Sequence, residues 1–150
     1  MKIIVCVDNQ NGMMFNHRRQ SQDRVLRKRI LELTGGEKLW MNAYSQKQFL
    51  QVSGNMPKEQ EQPGQLGQSG QIQADEAFLE KAGPGEPCFV EDRSVAPFAG
   101  RVERVVLYRW DRAYPADLYW DLSLEGWTLA RREEFPGFSH EIITKEVYIP

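Results

Sequence analysis

The sequence predicts an α/β domain with a mixed, mostly parallel sheet flanked by helices and finished by a C-terminal antiparallel hairpin. Three observations carry this. The chain opens on Lys2-Ile-Ile-Val-Cys-Val-Asp8, a nearly unbroken β-branched apolar run suited to a strand covered on both faces. An amphipathic stretch and a second apolar run, Leu39-Trp-Met41, follow it directly. Such a strand–helix–strand unit is expected to close right-handed with its strands parallel. Near the end, Trp127–Glu133 and His140–Ile149 read as long strands joined through Phe135-Pro-Gly-Phe-Ser139.

Taken in order, Asp8-Asn-Gln-Asn-Gly12 ends the first strand with turn formers. Met13, Met14 and Phe15 then place three apolar side chains in a loop that should fold back over the body. Ser21 is the predicted N-cap of a helix over 22–34, with Val25, Leu26, Ile30 and Leu33 on its apolar stripe and Arg24, Arg27, Lys28 and Glu32 around the rest. Thr34-Gly-Gly36 stops it. Residues 38–41 are a short strand, and Ser45–Val52 begins a second helix. From Ser53 to Gln73 the composition turns to Gln, Gly, Pro, Ser and Glu without periodicity, which predicts a flexible excursion within one domain spanning 1–150. Beyond it, Asp75–Ala82 reads as a short helix, Cys88–Val90 as a buried strand, and Val105–Trp110 as a strong one.

The 150 residues carry a formal net charge of −2, which gives the whole chain no commitment to nucleic acid or to an anionic membrane. No segment has the roughly 20 apolar residues of a membrane helix, and the opening strand is unlike a signal peptide; the expected location is a bacterial-type cytosol. Cys6 and Cys88 each sit in an apolar run, as buried reduced thiols do. If their strands are neighbours, the two thiols could approach each other. With His17 and His140 as the only histidines, no His-rich dinuclear zinc site can form, and no metal is expected.

Several stretches together resemble the dihydrofolate reductase family. Ile3-Ile-Val-Cys-Val-Asp-Asn-Gln-Asn-Gly12 is similar to its first strand and loop. Asp23 with the helix ending Leu33-Thr-Gly-Gly36, then Leu39-Trp-Met41, resembles the next unit. Ala74-Asp-Glu-Ala-Phe-Leu79 with Cys88-Phe-Val90 resembles a later one, and Arg104-Val-Val-Leu-Tyr-Arg, Asp121–Trp127 and Arg131-Arg-Glu-Glu134 resemble the C-terminal part. The resemblance covers most of the chain outside 53–73. It implies an NADPH-dependent reductase fold, yet the cofactor motifs depart from the family's pattern. Glu91-Asp92 stands where the family has a glycine pair facing the pyrophosphate. Asn42, Ala43, Tyr44 and Ser45 stand where a basic Gly-Arg-Lys/His-Thr run holds phosphates at a helix N-terminus. His17-Arg-Arg-Gln20 replaces the hydrophobic substrate gate, and Tyr108 replaces a threonine supporting the substrate.

The expectation is therefore a protein of this fold that is not an active reductase, needs no cofactor, and binds a small molecule or anion, or a partner, near loop 13–20. The ligand-binding candidates are His17, Arg18, Arg19, Asp23 and Tyr108. Asp23 is also the one candidate catalytic acid; its plainer reading is a first-turn carboxylate complementing the helix dipole. One alternative is an atypical NADPH-dependent reductase of a pterin-like substrate, assisted by Asp23. Another is an anion or nucleic-acid binder using Arg18–Arg29, although such charge runs are more often a solvated helix face. Asp111, Asp117 and Asp121 among the C-terminal aromatics argue against a nucleic-acid surface. His140 is expected to be exposed at an edge strand. A homodimer is compatible with the composition.

Overall fold

The computed structural model describes residues 1–19, 23–53 and 71–150, with the side chains of 50–53 left aside. Strands β1 (Lys2–Val7), β4 (Leu39–Met41), β5 (Ile72–Ala74), β6 (Pro87–Val90), β7 (Arg104–Arg109), β9 (Thr128–Phe135) and β10 (Ile143–Ile149) form a seven-stranded sheet in the order β5-β4-β6-β1-β7-β10-β9. The pairs from β5 through β7 are parallel. β10 runs antiparallel to both β7 and β9, which makes the expected C-terminal hairpin. β1 is central because its run Ile3–Val5 is buried on both faces. β9 is the outer edge, exposed over most of its length and carrying Arg131, Arg132, Glu133 and Glu134.

The alternation of β1 divides the core. Ile3, Val5 and Val7 join Cys88, Val90, Val105 and Leu107 on one face, where α3 (Phe78–Lys81) packs. Ile4 joins Phe89, Val106 and Tyr108 on the other, beneath α1 (Arg24–Leu33) and α2 (Ala43–Ser53). Cys88 pairs in register with Ile3, and Cys6 lies three positions further along β1. Three is an odd step in a period of two, so the thiols face opposite sides of the sheet and do not approach. Both are free; burial pushes Cys88 up to about 12 and Cys6 up as well.

Several boundaries differ from the sequence reading. Ser21 lies outside the described residues, and Asp23 caps α1, its carboxylate accepting from the N–H groups of Val25 and Leu26. The buried face of α1 is Leu26, Arg27, Ile30 and Leu31, whereas Leu33 is 43% exposed. The predicted excursion ends early. Ser53 closes α2, Gln71 is buried, and Ile72 pairs with Leu39 at the sheet edge; residues 54–70 lie outside the described residues. A small second sheet, β3-β2-β8, is formed by β2 (Gly12–Phe15), β3 (Arg18–Arg19) and β8 (Leu118–Tyr119).

Asp8 ties that second sheet to β1. Its Oδ1 accepts from the N–H groups of Gln10 and Gly12, and its Oδ2 from that of Tyr114, at 2.8, 2.8 and 2.9 Å. The β2–β3 connection is the two-residue turn Asn16-His17, with φ of 49° and 62°. Those are the left-handed values a tight hairpin of this kind requires. The Asn16 N–H donates to Asp117 Oδ2 at 3.0 Å, which fixes the turn against the loop before β8.

A second clasp joins α1 to the β9–β10 connection. Besides capping α1, Asp23 accepts from the N–H groups of Phe138 and Ser139, at 2.9 and 2.8 Å, and from the Ser139 hydroxyl at 3.1 Å. His140 Nδ1 stands 3.2 Å from Asp23 Oδ2. Burial alone would raise the Asp23 pKa; the donors from Phe138, Ser139, His140 and Leu26 outweigh it and hold the carboxyl at about 2. Gly137 leaves no room for a side chain, since a Cβ there would lie 2.7 Å from Asp23 Oδ2 and 2.8 Å from the His140 carbonyl oxygen.

Two predictions follow from this clasp. Gly137→Ala should destabilise the protein by about 2 to 4 kcal/mol in urea unfolding, because the new methyl meets a carboxylate and a backbone carbonyl. Asp23 is held below its unfolded value, so its stabilisation is complete above about pH 4 and fades as pH falls towards 2. Asp23→Asn should accordingly be less stable than the parent at neutral pH. The gap between their unfolding midpoints should narrow across that acid window.

Candidate functional site

In open α/β sheets, ligands bind beyond the C-terminal ends of the parallel strands. Here three polar residues emerge at those ends: Asp8 after β1, Asn42 after β4 and Glu91 after β6. All three are buried. Asn42 caps α2 with its own side chain, Oδ1 accepting from the Ser45 N–H at 2.7 Å, while its Nδ2 donates to Asp92 Oδ2 at 2.7 Å. The Ala43 N–H at the start of the helix donates to Glu76 Oε2 at 3.0 Å. The largely exposed carboxylate of Glu76 therefore stands at the helix N-terminus, where such donors can otherwise hold a phosphate.

Glu91 is the centre of a buried charge cluster. Its Oε1 accepts from the Ser45 hydroxyl at 2.6 Å and lies 3.5 Å from Arg19 Nε. Its Oε2 lies 3.6 Å from Arg27 Nη2, which also donates to Gln48 Oε1. The Arg27 guanidinium sits over the rings of Phe49 and Phe89, and that of Arg19 over Tyr44 at 3.9 Å. Two buried cations thus share one buried carboxylate. Among the described residues, Arg19 Nε and Nη2, Arg27 Nη1 and Gln48 Nε2 are buried donors without a hydrogen-bond partner. Asp92 is matched separately by Arg93 Nε at 2.9 Å.

Arg19 also borders a cavity of about 340 Å3, lined by Phe15, Asn16, Arg18, Arg19, Tyr114 and Pro115. Tyr114 is held from two sides, through its N–H to Asp8 and through its hydroxyl, 2.9 Å from His140 Nε2. His140 is 3% exposed and stacks on Trp110 with ring centroids 4.4 Å apart. The carboxylate of Asp23 can only accept, which places the imidazole proton on Nδ1 in the neutral ring; Nε2 then accepts from the Tyr114 hydroxyl. An Asp23–His140–Tyr114 chain thus runs from the helix cap to the cavity wall.

The predicted site residues scatter accordingly. Arg18 and Arg19 reach the cavity, and His17 is an exposed turn residue beside it. Asp23 is engaged in the clasp, and Tyr108 is a core side chain packed edge-on to Phe135, its hydroxyl pKa raised by burial. Of the cofactor-position residues, Asn42, Ser45 and Glu91 are buried, while Ala43 and Tyr44 are exposed. The basic run does not form one solvated face: Arg27 is 4% exposed and turns inward, while Arg24, Lys28 and Arg29 are exposed. His140 was expected at the surface and is instead buried, because Trp110, Asp23 and Tyr114 enclose it. Arg27, Gln48, Tyr114 and His140 are the site residues sequence reasoning missed. Only Arg27 carried a signal, lying four positions after Asp23 and before Leu31 on the buried side of α1. Among the described residues, no group of three or more His, Cys, Asp or Glu could hold a metal ion, and no helix is long and apolar enough to cross a membrane.

No protein-family model matches the sequence, and no curated protein matches it. Among solved structures, the chain is similar to a dihydrofolate reductase from Enterococcus faecalis complexed with NADP(H) and RAB-propyl. That likeness covers 99% of this chain and 94% of the other, with a TM-score of 0.59 at 10% sequence identity. At such identity the likeness bears on the fold alone. The chain has a dihydrofolate reductase-like fold, built on a seven-stranded mixed sheet with an antiparallel C-terminal pair.

Proposed function

We propose that this protein is a ligand-binding descendant of the dihydrofolate reductase-like fold and not a dinucleotide-dependent reductase. Its ligand is a small anion that enters beneath the β2–β3 turn. The observation that carries this reading is the buried cluster of Glu91 with Arg19, Arg27 and Ser45. These side chains converge beyond the C-terminal ends of the parallel strands, on the side where open α/β sheets bind their ligands. The obstacle to a dinucleotide is occupancy more than repulsion. Glu91 and Asp92 are each matched by arginine, and the α2 N-terminus is already served by Glu76 and Asn42. Of the two arginines that share Glu91, Arg19 also borders the cavity.

Thermal-shift titration separates the readings. NADPH and NADH should give no saturable rise in melting temperature, whereas a bound cofactor at a hundredfold excess over its Kd would add about 2.7 kcal/mol of stability. A saturable shift with NADPH would sink the proposal. Removing the shared carboxylate should be costly in itself. Glu91→Ala leaves two buried guanidinium groups unmatched and is expected to lose about 3 to 5 kcal/mol in chemical denaturation.

A further inference from the structure

We propose that the cavity under the β2–β3 turn binds a carboxylic acid with a flat apolar body. This rests on the ligand-binding reading above and names the chemistry of its ligand. The cavity, about 340 Å3, is at the small end of ligand pockets and too small for a dinucleotide. Phe15, Tyr114 and Pro115 give it apolar and aromatic surface, and its charged lining residues are Arg18 and Arg19. Walls of that kind accept a ring or a branched hydrocarbon, and guanidinium forks match a carboxylate in a bidentate pair.

Arg19 and Arg27 bring two positive charges to one carboxylate, Glu91, and Arg18 adds a third at the cavity itself. An uncompensated buried charge is expensive, and an anion seated against Arg18 and Arg19 offsets it. Arg19 Nε faces Glu91 at 3.5 Å, while Nη2 is buried without a hydrogen-bond partner among the described residues, which leaves a donor for a bound carboxylate. A phosphate has no apolar body to set against Phe15, Tyr114 and Pro115, so a carboxylate carried on a ring fits these walls better. The opposite wall is hydrogen-bonded in place without a ligand. Tyr114 is fixed by Asp8 Oδ2 at its N–H and by His140 Nε2 at its hydroxyl, each at 2.9 Å. Such preorganisation reduces the ordering cost of binding.

The test is calorimetry together with amide-resolved NMR on the unmodified protein, using benzoate, naphthoate, acetate, benzamide and inorganic phosphate as probes. Benzoate and naphthoate should saturate and perturb the backbone amides of Phe15, Asn16, Arg18, Arg19 and Tyr114. Acetate, which lacks the ring, and benzamide, which lacks the charge, should each bind about tenfold more weakly or worse. Arg18→Ala, at an exposed position, and Arg19→Lys, which keeps the charge and loses the fork, should both weaken benzoate at these amides. If acetate or phosphate binds there as well as the aromatic acids, the apolar-acid assignment is wrong and the anion reading above survives. If no anion perturbs these amides, both are wrong.

Discussion

One buried carboxylate holds together the end of the sheet where this fold would place a ligand. Glu91 meets a strand of the small sheet through Arg19, the first helix through Arg27 and the second helix through Ser45. Charges taken out of water repay their desolvation only when geometry and hydrogen bonds are good, and an apolar filling of the same volume is often no less stable. The cluster is thus poorly explained as a device for stability alone. Its donors exceed its acceptors, and Arg19, which carries part of the surplus, lines the cavity.

The same fold can turn an acid at a helix start to a different use. The resemblance assigns an acid near Asp23 to a substrate heterocycle. Here that carboxylate accepts from both α1 and the β9–β10 connection, so its lone pairs are taken by backbone and side-chain donors. Function lies in the side chains placed on a fold and not in the fold itself. In this chain Asp23 serves as a structural clasp.

Most of the sheet was legible in the sequence because its strands are long apolar or alternating runs bounded by Gly, Pro and Asp. Val105–Trp110 and Lys2–Asp8 needed little more than that pattern. The small sheet was not legible, since β3 has two residues and β8 has two, too few for a period to show. β5 was hidden because Ile72 stands at the end of a Gln- and Gly-rich stretch, and its strand character comes from pairing with Leu39. The site was harder still. Arg18 and Arg19 could be singled out as a basic pair before a helix. Arg27 was assigned to the polar face with Arg24 and Lys28 because arginines in a charge run are normally solvated; Glu91, distant in the chain, supplies the charge that accompanies its burial. His140 was misplaced for the same reason, since nothing local indicates that Trp110, Tyr114 and Asp23 converge on it.

The outer strand β9 has a consequence for assembly. An unpaired strand edge is a template for another chain, and proteins blunt such edges with charge. β9 alternates little and is exposed along most of its length, with Arg131, Arg132, Glu133 and Glu134 in succession. Arg132 and Glu134 pair at 3.7 Å, and Glu133 is met by Lys145 of the neighbouring strand at 3.4 Å. A second copy adding a strand here would set these charged rows against one another and strip their water. On this side the charge of its side chains ends the sheet and disfavours edge-to-edge growth into a fibril.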